Sequence, residues 1–120
     1  MRVLNNVEIE DLLITALEGG SNYWYAFDNL NIPYQSDNMA ASEIIFRSLG
    51  SGATYLIYDV NEDQDEEPLG SLDMENIAKA NEIMIEYYPK DYQNILDESW
   101  DAETSDIWFQ LVVMGEVMFC

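Results

Sequence analysis

Carboxylates are the only side chains abundant enough in this 120-residue chain to suggest chemistry: it carries 24 Asp and Glu, 4 Lys and Arg, and no His. Asp59-Val60-Asn61-Glu62-Asp63-Gln64-Asp65 opens like a calcium-binding EF-hand loop, with oxygen ligands at its first, third, fifth and seventh positions. The match then fails. The sixth position, which needs Gly for a sharp turn, is Gln64, and the twelfth, which needs a bidentate Glu, is Gly70. The segment predicts diffuse attraction for divalent ions and no dedicated metal site. Without His, and with Cys120 as the sole thiol, transition-metal centres and base-activated Ser or Cys nucleophiles lack partners. Acid pairs for glycoside hydrolysis are so numerous that none is singled out. Gly50-Ser51-Gly52 follows a helix pattern and precedes a strand pattern, the reverse of a phosphate loop, and no Lys follows it. The expectation is a protein that is not an enzyme and uses no cofactor.

The charge itself is the stronger signal. The formal net charge is −20, yet 48% of the residues are hydrophobic, including 3 Trp, 8 Tyr and 4 Phe. A disordered acidic tail lacks the apolar residues to build a core, so this charge is expected on a folded surface. A compact chain of this length has a radius of gyration near ~13.5 Å and is roughly 35 Å across, over which B-DNA presents about 20 charges at one per ~1.7 Å. The protein matches duplex DNA in charge per length. Sixteen of the acidic residues fall between Asp59 and Asp106, against Lys79 and Lys90 alone. Asp59, Glu62, Asp63, Asp65, Glu66 and Glu67 cluster around one loop, and Glu75, Glu82 and Glu86 have the spacing of one helix face. These nine are the expected partner-binding residues. The alternative for each is a solvated face that serves solubility.

A second candidate lies at Gly19-Gly20-Ser21-Asn22-Tyr23-Trp24. Glycines allow close backbone approach and the aromatics offer a stacking platform, so Gly19, Gly20, Tyr23 and Trp24 could form a small-ligand pocket, nucleotide-like in what it takes. Core packing of the aromatics is the competing reading. Arg2 and Arg47 are the only basic residues in this half of the chain, which gives an anionic ligand little to meet.

The elements that position these residues are legible from periodicity. Val7 to Glu18 repeats apolar residues at helical spacing, with Asn6 as the expected cap and Gly19-Gly20 as the stop. Tyr23 to Phe27 reads equally as a helical turn or a packed loop. Pro33 and Gln35 to Asn38 suggest a loop into a helix from Met39 to Leu49, stopped by Gly50. Thr54 to Val60 is the clearest strand, Asn61 to Glu67 a hairpin loop, and Pro68 to Leu72 a short return strand forced to an edge by its Pro. Asp73 caps a helix through Tyr88 that Pro89 stops, and a short helix covers Tyr92 to Leu96. Ser99 or Asp101 caps the last helix, with Ile107, Leu111, Met114 and Met118 in one stripe. The expected fold class is α+β: a mainly helical single domain, residues 1–120, with a small antiparallel β-hairpin. No signal peptide or membrane span is expected, and the lone Cys suits a reducing cytoplasm.

The run Thr15-Ala16-Leu17-Glu18-Gly19-Gly20-Ser21-Asn22-Tyr23-Trp24, and the ending from Asp101 to Gln110 and Gly115-Glu116-Val117, resemble segments of small bacteriophage proteins with no assigned activity. The two segments cover about a third of the chain, at its ends, so the resemblance carries over no functional residue. What it implies is context. Small, strongly acidic phage proteins include DNA mimics that block restriction or CRISPR effectors, and by that analogy this chain is expected to act as an anti-defence inhibitor in the host cytoplasm. Its partner would be a basic nucleic-acid-binding host protein, with no direct binding to nucleic acid or membrane.

Overall fold

The computed structural model describes residues 2–27, 41–61 and 67–119. The expected loop at Pro33 and 35–38, the helix start at Met39, the carboxylates of Glu62, Asp63, Asp65 and Glu66, and the Cys120 thiol lie outside the described residues. The rest folds as a mainly helical α+β unit with a small antiparallel sheet.

Helix α1 spans Asn6–Thr15 and is capped one residue earlier than its periodicity suggests. Asn5 Oδ1 accepts from the Glu8 amide at 2.9 Å, and Glu8 Oε1 accepts from the Asn5 amide at 2.9 Å. This reciprocal box needs a Glu three residues after the cap; counting from Asn6 would place Ile9 there. Both guanidinium nitrogens of Arg2 also meet the Glu8 carboxylate at 2.7 Å. Arg2 holds the Glu8 carboxyl below its ordinary value, with the Asn5 amide adding to the effect. A depressed carboxyl contributes stability above its unfolded pKa and loses it as pH falls through the folded value. The Arg2→Ala protein is therefore expected to show a shallower fall in stability on acidification below about pH 4.5, checked by urea midpoints at successive pH values.

The first helix does not stop at the glycine pair. Ala16–Gly20 continues it as one π-helical turn, closed by the Ser21 amide donating to Ala16 O at 2.9 Å. Gly20 is required there, because a Cβ on it would lie 2.8 Å from Ser105 Oγ and 3.0 Å from Ala102 O. The aromatic run then becomes neither a helical turn nor a loop: Tyr25–Phe27 is strand β1. It pairs with β2 (Tyr55–Asp59), which pairs with β3 (Gly70–Leu72), both antiparallel, giving the order β1-β2-β3. The hairpin thus gains a third strand. Tyr25 sits opposite Asp59, and β-branched and aromatic residues supply the pleated, half-buried surface this pairing favours.

Pro68 precedes β3, which is an edge strand as the proline demands, and Gly70 faces the backbone of the last helix. A Cβ on Gly70 would fall 1.8 Å from Val113 O, so the strand could not stay where it is. Gly70→Ala is expected to cost about 1–3 kcal/mol, measured by chemical denaturation, as an overpacked core contact does.

Helix α2 spans Ala41–Gly50, α3 Met74–Tyr87, α4 Pro89–Leu96 and α5 Ala102–Met114. Asp73 and Asp101 cap α3 and α5 by accepting from the amides of Asn76 and Thr104. Pro89 does end α3, and it also opens α4 at the first helical position, where its missing N–H costs nothing. Helix α5 is central. Trp108 and Phe109 are wholly buried, Leu111, Val112 and Val113 nearly so, and the helix packs against α1, α3, β3 and the π turn. Trp108 Nε1 donates to Asn81 Oδ1 at 3.0 Å, tying α5 to α3 through a buried hydrogen bond. The apolar stripe does not reach Met118 as helix, since Gly115, with φ of 75°, ends α5 and turns the chain back.

Candidate functional site

The carboxylates divide into those with local work and those without it. Asp59 is half-buried and accepts from the Asn61 amide at 2.8 Å, holding the exit of β2. Asp73 and Asp101 are caps, and Glu8 belongs to the α1 box. Glu67, Glu75, Glu82 and Glu86 are exposed. The last three project from α3 on the side away from the buried Ile77, Ala80 and Met84. Glu75 lies 3.4 Å from Lys79, but both side chains are largely exposed, so the pair adds little to stability. Only two ion pairs, Arg2–Glu8 and Glu75–Lys79, occur among the described residues. Asp97, Glu98 and Glu103 add further exposed carboxylates around α4 and α5. Among the described residues no group of three acidic or thiol side chains is placed to hold a metal ion. No described helix is long and apolar enough to cross a membrane.

The glycine-aromatic segment does two things at once. Trp24 is wholly buried: its ring stacks on Phe119 with centroids 5.3 Å apart and lies 5.4 Å from Phe109, so it is a core residue and does not join its neighbours at the cavity they border. Tyr25 closes the same cluster and donates its hydroxyl to Leu17 O. Burial, with the charge of Glu18 adding to it, pushes the Tyr25 phenol up to about 12. Gly19, Gly20 and Tyr23 do border an open cavity of about 470 Å³. Its other wall is one stripe of α5, Ala102, Glu103, Asp106, Ile107 and Gln110, completed by Val117 and Phe119.

Beneath this cavity lies an arrangement that composition did not single out. Asp106 is 8% exposed and is the acceptor for four neutral donors. Oδ1 takes Ser21 Oγ and Trp24 Nε1, each at 2.7 Å; Oδ2 takes the Tyr23 hydroxyl and Gln110 Nε2, the latter at 3.1 Å. These occupy the roughly four lone-pair positions of a carboxylate. Gln110 extends the network by accepting from the Met118 and Phe119 amides at 2.8 Å, which pins the returning chain against α5. No guanidinium or ammonium group takes part. The clue in the sequence is the i, i+4 pair Asp106 and Gln110, set among Ile107, Trp108, Phe109 and Leu111, where a solvated face would not carry so many apolar neighbours.

Comparison with known proteins finds no family model, no curated protein and no solved structure that matches the chain significantly.

Proposed function

We propose that this protein is an acidic mimic of nucleic acid: it occupies the positively charged channel of a DNA- or RNA-binding protein and places carboxylates where phosphates would sit. The reading extends to an anti-defence inhibitor of the anti-restriction or anti-CRISPR kind, acting by binding rather than by catalysis. The observation that carries it is charge density. Among the described residues, 18 Asp and Glu against 4 Lys and Arg leave a net charge of −14 along a longest dimension of 38 Å, about one per 2.7 Å and within twofold of the ~1.7 Å of B-DNA. The exposed Glu75, Glu82 and Glu86 supply a regular row within that distribution, and Glu67 is exposed as well. Such a field repels nucleic acid and accelerates encounter with basic proteins.

Competition binding tests the reading. Labelled duplex DNA or guide RNA bound to restriction and CRISPR effectors, followed by fluorescence anisotropy, is expected to be displaced by this protein. Displacement should weaken as salt rises, because the Debye length contracts from about 10 Å at 0.1 M to about 3 Å at 1 M. An effector that binds this protein and its nucleic acid together, with no loss of affinity for either, would exclude the mechanism for that partner. A panel in which nothing is displaced would exclude it altogether.

A further inference from the structure

We infer that the cavity between the π turn and α5 is the seat for an arginine side chain of the protein partner, an anchor within the broader acidic surface; the inference rests on the proposed binding of a basic protein. Its chemistry is read from the lining. None of the four basic residues, Arg2, Arg47, Lys79 and Lys90, lines it, so an anion has no counter-charge there. Glu103 and Asp106 supply negative charge one turn apart on α5. The Asp106 lone pairs are already occupied, and its four donors carry no formal charge, so it attracts a cation through its field. Glu103 is exposed, and no basic side chain pairs with it among the described residues, which leaves its oxygens for direct contact.

The remaining walls select the shape of that cation. Ile107, Val117 and Phe119 offer apolar surface to an alkyl stem, and the rings of Tyr23 and Phe119 suit a planar, weakly hydrated guanidinium better than a compact ammonium. The rim points to a protein as the source. Tyr23 and Val117, which line the cavity, are 44% and 38% exposed, an apolar fringe on a surface otherwise crowded with carboxylates. Tyr, Met and Arg are the residue types enriched at interface cores, and an arginine inserted in an acidic, aromatic-edged pocket is a common anchor.

The test uses acetyl-Ala-Arg-Ala-amide, its citrulline counterpart of equal shape and no charge, and n-butylguanidinium, with NMR shifts read on the intact protein. The arginine peptide is expected to give saturable shifts at Gly19, Tyr23, Glu103 and Ile107, with the citrulline peptide at least about tenfold weaker, in keeping with a charge-assisted contact. Glu103→Gln should weaken the arginine peptide several-fold. Gly19→Leu should block it, since a Cβ at Gly19 meets nothing within 4 Å and the fold has room for the side chain. Equal binding of both peptides, or shifts spread over Glu75, Glu82 and Glu86 instead, would overturn the inference. Butylguanidinium binding without the peptide would also overturn it, in favour of a small cation. The two proposals fail separately. If both cavity variants displace nucleic acid from an effector as well as the parent does, the arginine seat is wrong and the mimic stands; if the peptide binds as expected while no effector is displaced, the reverse holds.

Discussion

Replacing Asp106 with alanine is expected to destabilise the protein by about 3–5 kcal/mol, because it orphans buried donors rather than removing one contact. Ser21 and Trp24 are both wholly buried, so Ser21 Oγ and Trp24 Nε1 have no water to turn to, whereas Tyr23 is a partly exposed residue and Gln110 keeps its bond to Phe119 O at 3.0 Å. Two orphaned donors at about 1–3 kcal/mol each account for most of the loss, and a cavity adds to it. Asp106→Asn separates geometry from charge. Its amide keeps Oδ1 as acceptor for Ser21 and Trp24 and turns its N–H₂ group toward Tyr23, whose hydroxyl can accept, and Gln110, so it should cost only about 1–2 kcal/mol, well below the alanine variant. Ser21→Ala, which removes one donor together with its need for a partner, should cost only about 1 kcal/mol. Urea midpoints measured at constant slope give all three values. A loss below about 1 kcal/mol for Asp106→Ala would mean that the network is dispensable.

The same carboxylate marks the boundary of what the sequence reveals. Caps and stops depend on a few neighbouring residues, so the Asp73 cap and the end of α2 at Gly50 are legible, the cap of α5 narrows to Ser99 or Asp101, and the Asn5 box lies one position before the cap that the apolar period suggests because Glu8 fixes it. Strand β2 announced itself by composition. Strand β1 did not, since Tyr25–Phe27 is extended by its pairing with Phe27↔Ile57 and Tyr25↔Asp59, partners some thirty residues away. Asp106 is harder still: its donors at Ser21, Tyr23 and Trp24 are over eighty residues away, and the local clue, its apolar neighbours and Gln110 one turn on, marks it as buried without naming those partners. Of the glycine-aromatic candidates, the backbone positions Gly19 and Gly20 and the amphipathic Tyr23 border a cavity, while Trp24 follows its hydrophobicity into the core. The α3 row was visible because helical spacing alone fixes which residues share a face.

That row gives the second large effect. Changing Glu67, Glu75, Glu82 and Glu86 to Lys moves the formal net charge from −20 to −12, since each of the four reversals adds two. All four are exposed, and the fold is expected to survive, although lysines at 75, 79, 82 and 86 would repel along one helix face by a few tenths of a kcal/mol per pair. Reversing a carboxylate against a basic channel turns attraction into repulsion, worth on the order of 1 kcal/mol per site near a surface, so four together should weaken partner binding roughly 1,000-fold. A matched control reverses Glu10, Asp11, Glu18 and Glu116, which gives the same net charge of −12 with the α3 row intact. If the row is where phosphates are mimicked, the control should slow encounter but retain most of the affinity, because general attraction acts on the on-rate and specific contacts on the off-rate. Surface plasmon resonance at two salt concentrations separates the two rates, with circular dichroism to confirm folding. Equal losses in both proteins would mean that net charge alone drives binding and that Glu75, Glu82 and Glu86 hold no privileged position. An α3 variant that binds like the parent would reduce the row to a solvated face, and the search for the contact surface would move to Asp97, Glu98 and Glu103.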